Sequence, residues 1–269
     1  MIETLVALLL FVLFGLAIGS FLNVVIYRSV HDESFVSGRS KCPHCKKQIE
    51  WYDNIPVISF LILRQKCRHC KKPISWTYPA IELITAGLFL WWYVIGFTFF
   101  RLTSQPFTVL QPAFWLVVGI CLIIVFFADL LYGIIPDSVV AALTVLGMVY
   151  RVLLFRFHVM QPVDFWLTIA ASAGASLLFF LLWYGTKGRG MGIGDIKFVF
   201  PLGLVLGWPG IALGLFLSFL YGAVISLALI AVGKKRLSQT VPFGPFLILG
   251  AVTTLLVGDQ LLHWYLSLL

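Results

Sequence analysis

The sequence predicts an all-α, multi-pass membrane protein with about eight transmembrane helices and one small polar insert. Three observations carry this. The 269 residues are 61% hydrophobic, with a mean hydropathy of +1.01. Only 11% are charged, against about 25% in a soluble domain. Apolar runs near the roughly 20 residues that span a bilayer as a helix recur from end to end. Outer-membrane barrels would show short alternating segments instead, and these are absent. No low-complexity segment or internal repeat is visible.

Helices are expected at 3–26, 78–99, 112–131, 138–155, 163–184, 196–208, 210–232 and 242–264. The first apolar run, Leu5 to Ile26, lacks a basic leader and a small-residue cleavage site. It reads as a retained helix rather than a signal peptide. The interval 28–76 is the only long polar stretch and holds ten of the nineteen Lys and Arg. The positive-inside rule puts it in the cytosol and the N-terminus outside. With eight crossings, 16 basic residues fall inside, among them Lys187, Arg189, Lys197 and Lys234–Arg236; only Arg101, Arg151 and Arg156 fall outside. The net charge of +8 is thus a topology signal, not a mark of nucleic-acid binding. The sixth segment is short, 13 residues or about 20 Å, and "GWPG" at 207–210 separates it from the seventh. Counted as non-crossing, it would strand Lys234–Arg236 outside. Trp91, Trp92, Tyr93, Trp264 and Tyr265 read as interfacial belts. The expected organisation is a first helix (1–27), a cytosolic insert (28–76) and a seven-helix membrane domain (77–269).

Within the insert, "KCPHCKKQ" and "QKCRHCKK" place Cys42 and Cys45, then Cys67 and Cys70, as two C-x-x-C pairs. Each pair grips one ion with two sulfurs, and two pairs complete a tetrahedron, the pattern of a four-thiolate zinc site. A reducing cytosol argues against disulfides. Four thiolates leave no position for an activated water, so the zinc is expected to be structural. His44 and His69 are read as bystanders, and Cys121, in an apolar helix, as a small hydrophobe. An insert under 50 residues has little core, so the metal supplies much of its folding energy.

Two acids stand at membrane helix ends. Asp129 ends the third helix in "VFFADLLYGIIPD", and Asp195 begins the sixth in "GMGIGDIKF". Both fall at the cytosolic rim in this topology. An ionisable group in a membrane segment costs at least about 2.5 kcal/mol and is a functional candidate by default. Asp195 also suits a helix N-terminus as a cap; Asp129 opposes its helix dipole. Two close carboxylates cannot both ionise easily, so one keeps a proton while the other activates water. That is aspartic-protease chemistry. The glycines before Asp195 would admit a close backbone and let one acid move toward the other. The spacing G-x-G-x-G-D follows no strand, which speaks against a dinucleotide loop.

"GMGIGDIK" resembles the GxGD signature of intramembrane aspartyl proteases. The wider set is similar to the bacterial type IV prepilin peptidases, or leader peptidases: "GSFLNVVIYR" (19–28), the paired-cysteine insert, "YPAIELITA" (78–86), "ADLLYGIIPD" and "VPFGPFLILG" (241–250), in family order. Many members carry another acid two residues after the first aspartate, where this chain has Leu131. Asp137, after Pro136, reads as a helix cap. The resemblance implies catalytic Asp129 and Asp195, and removal of a basic leader from prepilins and pseudopilins. Cleavage follows a glycine at the cytosolic face of the bacterial inner membrane. It further implies N-methylation of the new N-terminal residue with S-adenosylmethionine, although no methyl-donor site is legible in the residues. Expected partners are pilin substrates and membrane lipid, not nucleic acid. Two readings stand for Glu82, substrate contact or helix pairing, and two for Lys197, tuning of the acids or lipid phosphate. Asn23 and Arg28 are candidates for cofactor or substrate contact, Arg28 equally for an inside anchor. The alternatives from other classes are an ion-coupled transporter using intramembrane acids and a zinc-knuckle adaptor without chemistry.

Overall fold

The computed structural model describes residues 2–31, 33–34, 38–102, 105–188, 190–233 and 241–267. Arg189 and Lys234–Arg236, used above to set the topology, lie outside the described residues. The chain divides into two compact units, Met1–Phe127 and Ala128–Leu269. The first holds α1 (Ile2–Val30), a 3-10 turn (Trp51–Asn54) and α2 (Ile58–Ile62). Then α3 (Thr77–Trp91) runs through a π turn (Trp92–Gly96) into α4 (Phe97–Phe99), and most of α5 (Phe107–Tyr132) follows. The second holds the last turns of α5, then α6 (Asp137–Arg156), α7 (Pro162–Gly185), α8 (Ile193–Leu206), α9 (Gly210–Ala231) and α10 (Gly244–Leu266).

Every expected helix is present, and the described residues form no sheet, only two isolated bridges in the insert. Among the described residues, seven helices are long and apolar enough to cross a membrane. The remaining expected segment, the sixth in order, is α8, 14 residues or about 21 Å. It starts three residues before the expected 196, because hydropathy marks only the apolar run. Asp195 belongs to its first turn, where a carboxylate is favoured by the unpaired N–H groups and the dipole.

In the first unit α1 packs along α3 through Gly15 and Gly19, a small-x-x-x-small pair that lets membrane helices approach closely. A Cβ at Gly19 would lie 2.6 Å from the Cα of Glu82, and one at Gly15 2.7 Å from the Cα of Ala86. Backbone cannot step aside as a side chain can. Gly19→Ala is therefore expected to cost about 1–3 kcal/mol, read as a lower unfolding midpoint in detergent. The Asn23 amide donates to the carbonyls of Gly19 and Tyr78, tying the end of α1 to the start of α3. Trp92 Nε1 donates to the Pro112 carbonyl at 2.9 Å, a structural task beyond the expected interfacial one.

In the second unit α8 is fastened at both ends. Near its start, Lys197 Nζ donates to both carboxylate oxygens of Asp137 at 2.9 Å. Near its finish, Arg151 of α6 donates from Nε to the Leu204 carbonyl at 2.7 Å and from Nη2 to Val205 at 2.9 Å. These carbonyls lie in the last turn, where a helix leaves acceptors unpaired. Gly207 follows with φ 72°, and a Cβ there would lie 2.8 Å from Arg151 Nη2. Arg151, read from the sequence as a plain outside charge, is thus a cap for a helix too short to reach water easily.

Candidate active site and metal centre

Asp129 and Asp195 both belong to the second unit, and both are buried, 5% and 6% exposed. Each carboxylate accepts one backbone N–H from a glycine. Gly244 donates to Asp129 Oδ2 at 2.8 Å, and Gly192 donates to Asp195 Oδ2 at 3.0 Å. The first bond joins the end of α5 to the first residue of α10, 115 residues on. The second is local: Gly192 is the N-cap of α8 and Asp195 its third residue, the reciprocal half of a capping box. The two carboxylates lie close enough to interact electrostatically. Capping and pairing coincide at Asp195, as the sequence allowed.

The glycine run allows the close approach expected of it, with ordinary backbone angles. Gly192 is extended, with φ −79° and ψ 149°, and none of Gly190, Gly192 and Gly194 takes a positive φ. What they provide is space. A Cβ on Gly192 would lie 3.3 Å from Asp195 Oδ2, and one on Gly194 3.2 Å from the Ile135 Cβ. Gly244 is the residue that the sequence reading passed over. A Cβ there would lie 2.7 Å from Asp129 Oδ2. Its only signal was a Gly-Pro step opening a helix in "VPFGPF". Lys197 pairs with Asp137 and so fastens the segment after Asp129 to the helix of Asp195.

The four insert cysteines form one cluster. Their sulfurs all lie within 4.8 Å of one another, and Cys42 and Cys70 Sγ are 3.9 Å apart. A tetrahedral ion with 2.3 Å metal–sulfur bonds separates sulfurs by about 3.8 Å, so a single ion fits. Neither His44 nor His69 joins the cluster, and Cys121 stands apart from it. A hydrogen bond from the Cys70 backbone N–H brings the Cys67 thiol down to about 7. At Cys70 the Lys72 N–H favours the thiolate, but burial and the neighbouring sulfurs push it up to about 11. Four crowded thiolates repel one another until a dication neutralises them, as a zinc site requires.

The two knuckles are copies of one turn, which corrects the expectation of no internal repeat. Lys41–Ile49 and Lys66–Ile74 share the pattern K-C-x-H-C-K-K-x-I. The Cys42 N–H bonds to the Lys47 carbonyl and the Cys67 N–H to that of Lys72, each at 2.9 Å. Bridges Lys41–Gln48 and Lys66–Pro73 close them, and Lys46 and Lys71 sit at φ 59° and 58°. The repeat is short and broken by α2, so it escapes a search for longer periods. Arg68 cross-links the insert: Nε and Nη2 grip both oxygens of Asp53 at 2.8 and 2.6 Å, and its guanidinium lies 5.3 Å from the Tyr52 ring centre. That pairing holds the Asp53 carboxyl below its usual range.

Glu82 is buried in α3 and accepts the Val57 N–H at 2.8 Å, with the Ser20 side chain as a second partner. Val57 has φ 60°, so Glu82 fixes a strained step where the insert returns to the membrane helices. This is the pairing alternative. Arg28 donates to the carbonyls of Ser34 and Gly38, ordering the entry to the insert.

A model described as "Bacterial Peptidase A24 N-terminal domain" matches residues 13–95, and one described as "Type IV leader peptidase family" matches residues 116–227. Among curated proteins, relatives named "Prepilin leader peptidase/N-methyltransferase" are similar along nearly the whole chain. That of Legionella pneumophila is 33% identical, covering 95% of this chain and 93% of its own. That of Aeromonas hydrophila is 33% identical over 95% and 92%, and that of Bacillus subtilis 30% identical over 95% and 96%. No solved structure matches significantly.

Proposed function

The chain belongs to the type IV leader peptidase family, and on that premise we propose an inner-membrane prepilin peptidase and N-methyltransferase whose protease acids are Asp129 and Asp195. The observation that carries the acid assignment is the pair itself: two buried carboxylates, each steadied by a glycine N–H, within electrostatic reach of each other.

One carboxyl of such a pair keeps its proton and the other stays charged. The charged one takes a proton from a water, whose oxygen bonds to the carbonyl carbon of the leader's final glycine. The protonated one donates to the carbonyl oxygen. As the tetrahedral carbon collapses, the C–N bond breaks, the carboxyl that took water's proton passes it to the departing amine, and one hydroxyl of the tetrahedral carbon returns its proton to the other carboxylate. Metal takes no part in these steps. The amine so freed is the new N-terminus and the acceptor for methylation. Cys42, Cys45, Cys67 and Cys70 hold a structural zinc, and S-adenosylmethionine supplies an activated methyl group. The insert and both acids face the cytosol, where a prepilin presents its basic leader.

Incubation of the purified protein with a prepilin and methyl donor, read by mass spectrometry, scores both activities. Loss of the leader with one added methyl group is expected; an intact prepilin would overturn the protease reading. Gly244→Ala puts a methyl group against Asp129 and is expected to lower kcat for cleavage by about 10–100-fold with KM little changed, measured by steady-state cleavage assays.

A further inference from the structure

A cleft of about 570 Å³ opens in the first unit between α1 and the insert, within the range of small-molecule sites. Its α1 wall is a single stripe that includes Ala17, Ser20 and Arg28 at helical spacing, flanking the Gly15–Gly19 face that packs on α3. Small side chains at 17 and 20 keep the cleft open. The opposite wall comes from the insert and includes Arg39, Trp51 and Asn54. Trp51 is 73% exposed, an indole face with no core to fill.

We propose that this cleft binds the methyl donor, an adenosyl-sulfonium amino acid. The proposal rests on the methyl-transfer half of the function above. Each part of that molecule meets a group suited to it. A purine stacks on an indole, and an Asn amide pairs with the donor and acceptor on the adenine edge. A guanidinium grips a carboxylate through parallel bonds, the task of the Nη edge of Arg39, whose Nε and Nη1 also meet the Gln48 amide oxygen. The methyl-bearing sulfur would lie along the apolar α1 wall of Ala17, Phe21 and Val24. Arg28, held by the Ser34 and Gly38 carbonyls, shapes the floor rather than gripping the ligand. The zinc knuckles then have a task beyond their own stability: Trp51 and Asn54 stand in the turn between them, and the metal fixes where that turn sits.

The probe is S-adenosylhomocysteine, titrated calorimetrically into the full chain in detergent with zinc content measured alongside. The unmodified protein is expected to bind it. Trp51→Ala and Arg39→Ala are each expected to weaken binding at least about tenfold, and Ala17→Trp, which fills the cleft from α1, to abolish it. Unweakened binding in all three zinc-loaded variants would overturn the proposal. A second measurement needs no variant: a photoreactive purine analogue, applied to the unmodified protein in membranes, should label 49–56 or 17–28. Labelling elsewhere overturns the cleft while leaving methyl transfer standing. Absence of both donor binding and methylation overturns the cleft and methyl transfer together, with cleavage untouched. Protection of 49–56 by anionic lipid alone would make this a headgroup site instead and overturn the proposal.

Discussion

Asp129→Asn and Asp195→Asn are each expected to lower prepilin cleavage about a thousand-fold or more. The amide is the same size as the carboxyl, and its oxygen can still accept the Gly244 or Gly192 N–H that each acid receives. The fold should therefore survive, and what disappears is the proton traffic. An amide can neither take a proton from water nor deliver one to the leaving amine. Because the two acids act as one unit, the double variant should be little worse than the worse single variant. Methylation of a precut pilin should persist in both, which separates lost chemistry from lost structure. Full cleavage by either variant would end the assignment. An ion-coupled transporter would instead show solute flux in pilin-free vesicles.

Removal of the metal should have the second largest effect. From Lys41 to Trp76 only Cys42, Ser59 and Phe60 are buried, so the insert has almost no core. Structural zinc contributes on the order of 10 kcal/mol in small thiolate domains at neutral pH. Cys42→Ser or Cys70→Ser should reduce zinc from about one per chain to near none. Amide exchange over 41–76 should then become rapid while α6–α10 stay protected. A metal-free protein with normal protection in the insert would refute the zinc assignment. Arg68 and Asp53 cannot substitute for the ion, since the guanidinium is largely solvated and such pairs hold weakly.

Hydropathy made the membrane helices legible, because burial in lipid imposes a long, continuous apolar signal. The cysteine pairs were legible because metal geometry demands fixed spacing. Relations set by packing were not. The approach of Gly244 to Asp129 joins residues 115 positions apart, and nothing local at either end announces it. Gly15 and Gly19 were within view as a four-residue spacing, yet their meaning depends on α3 lying against them. The run before Asp195 announces close approach in the sequence, but which atoms come close, the Asp195 carboxylate and Ile135, depends on the fold. Arg151 was assigned by charge alone, whereas its role is set by two carbonyls some fifty residues away.

The fastening of α8 bears on how the acids could meet a substrate. Lys197–Asp137 at its first turns and Arg151 at its last both tie α8 to α6. Asp195 then keeps a fixed bearing relative to α6. Asp129 is tied instead to the start of α10 through Gly244, so the two acids are held by different neighbours, Asp195 through α8 to α6 and Asp129 to α10.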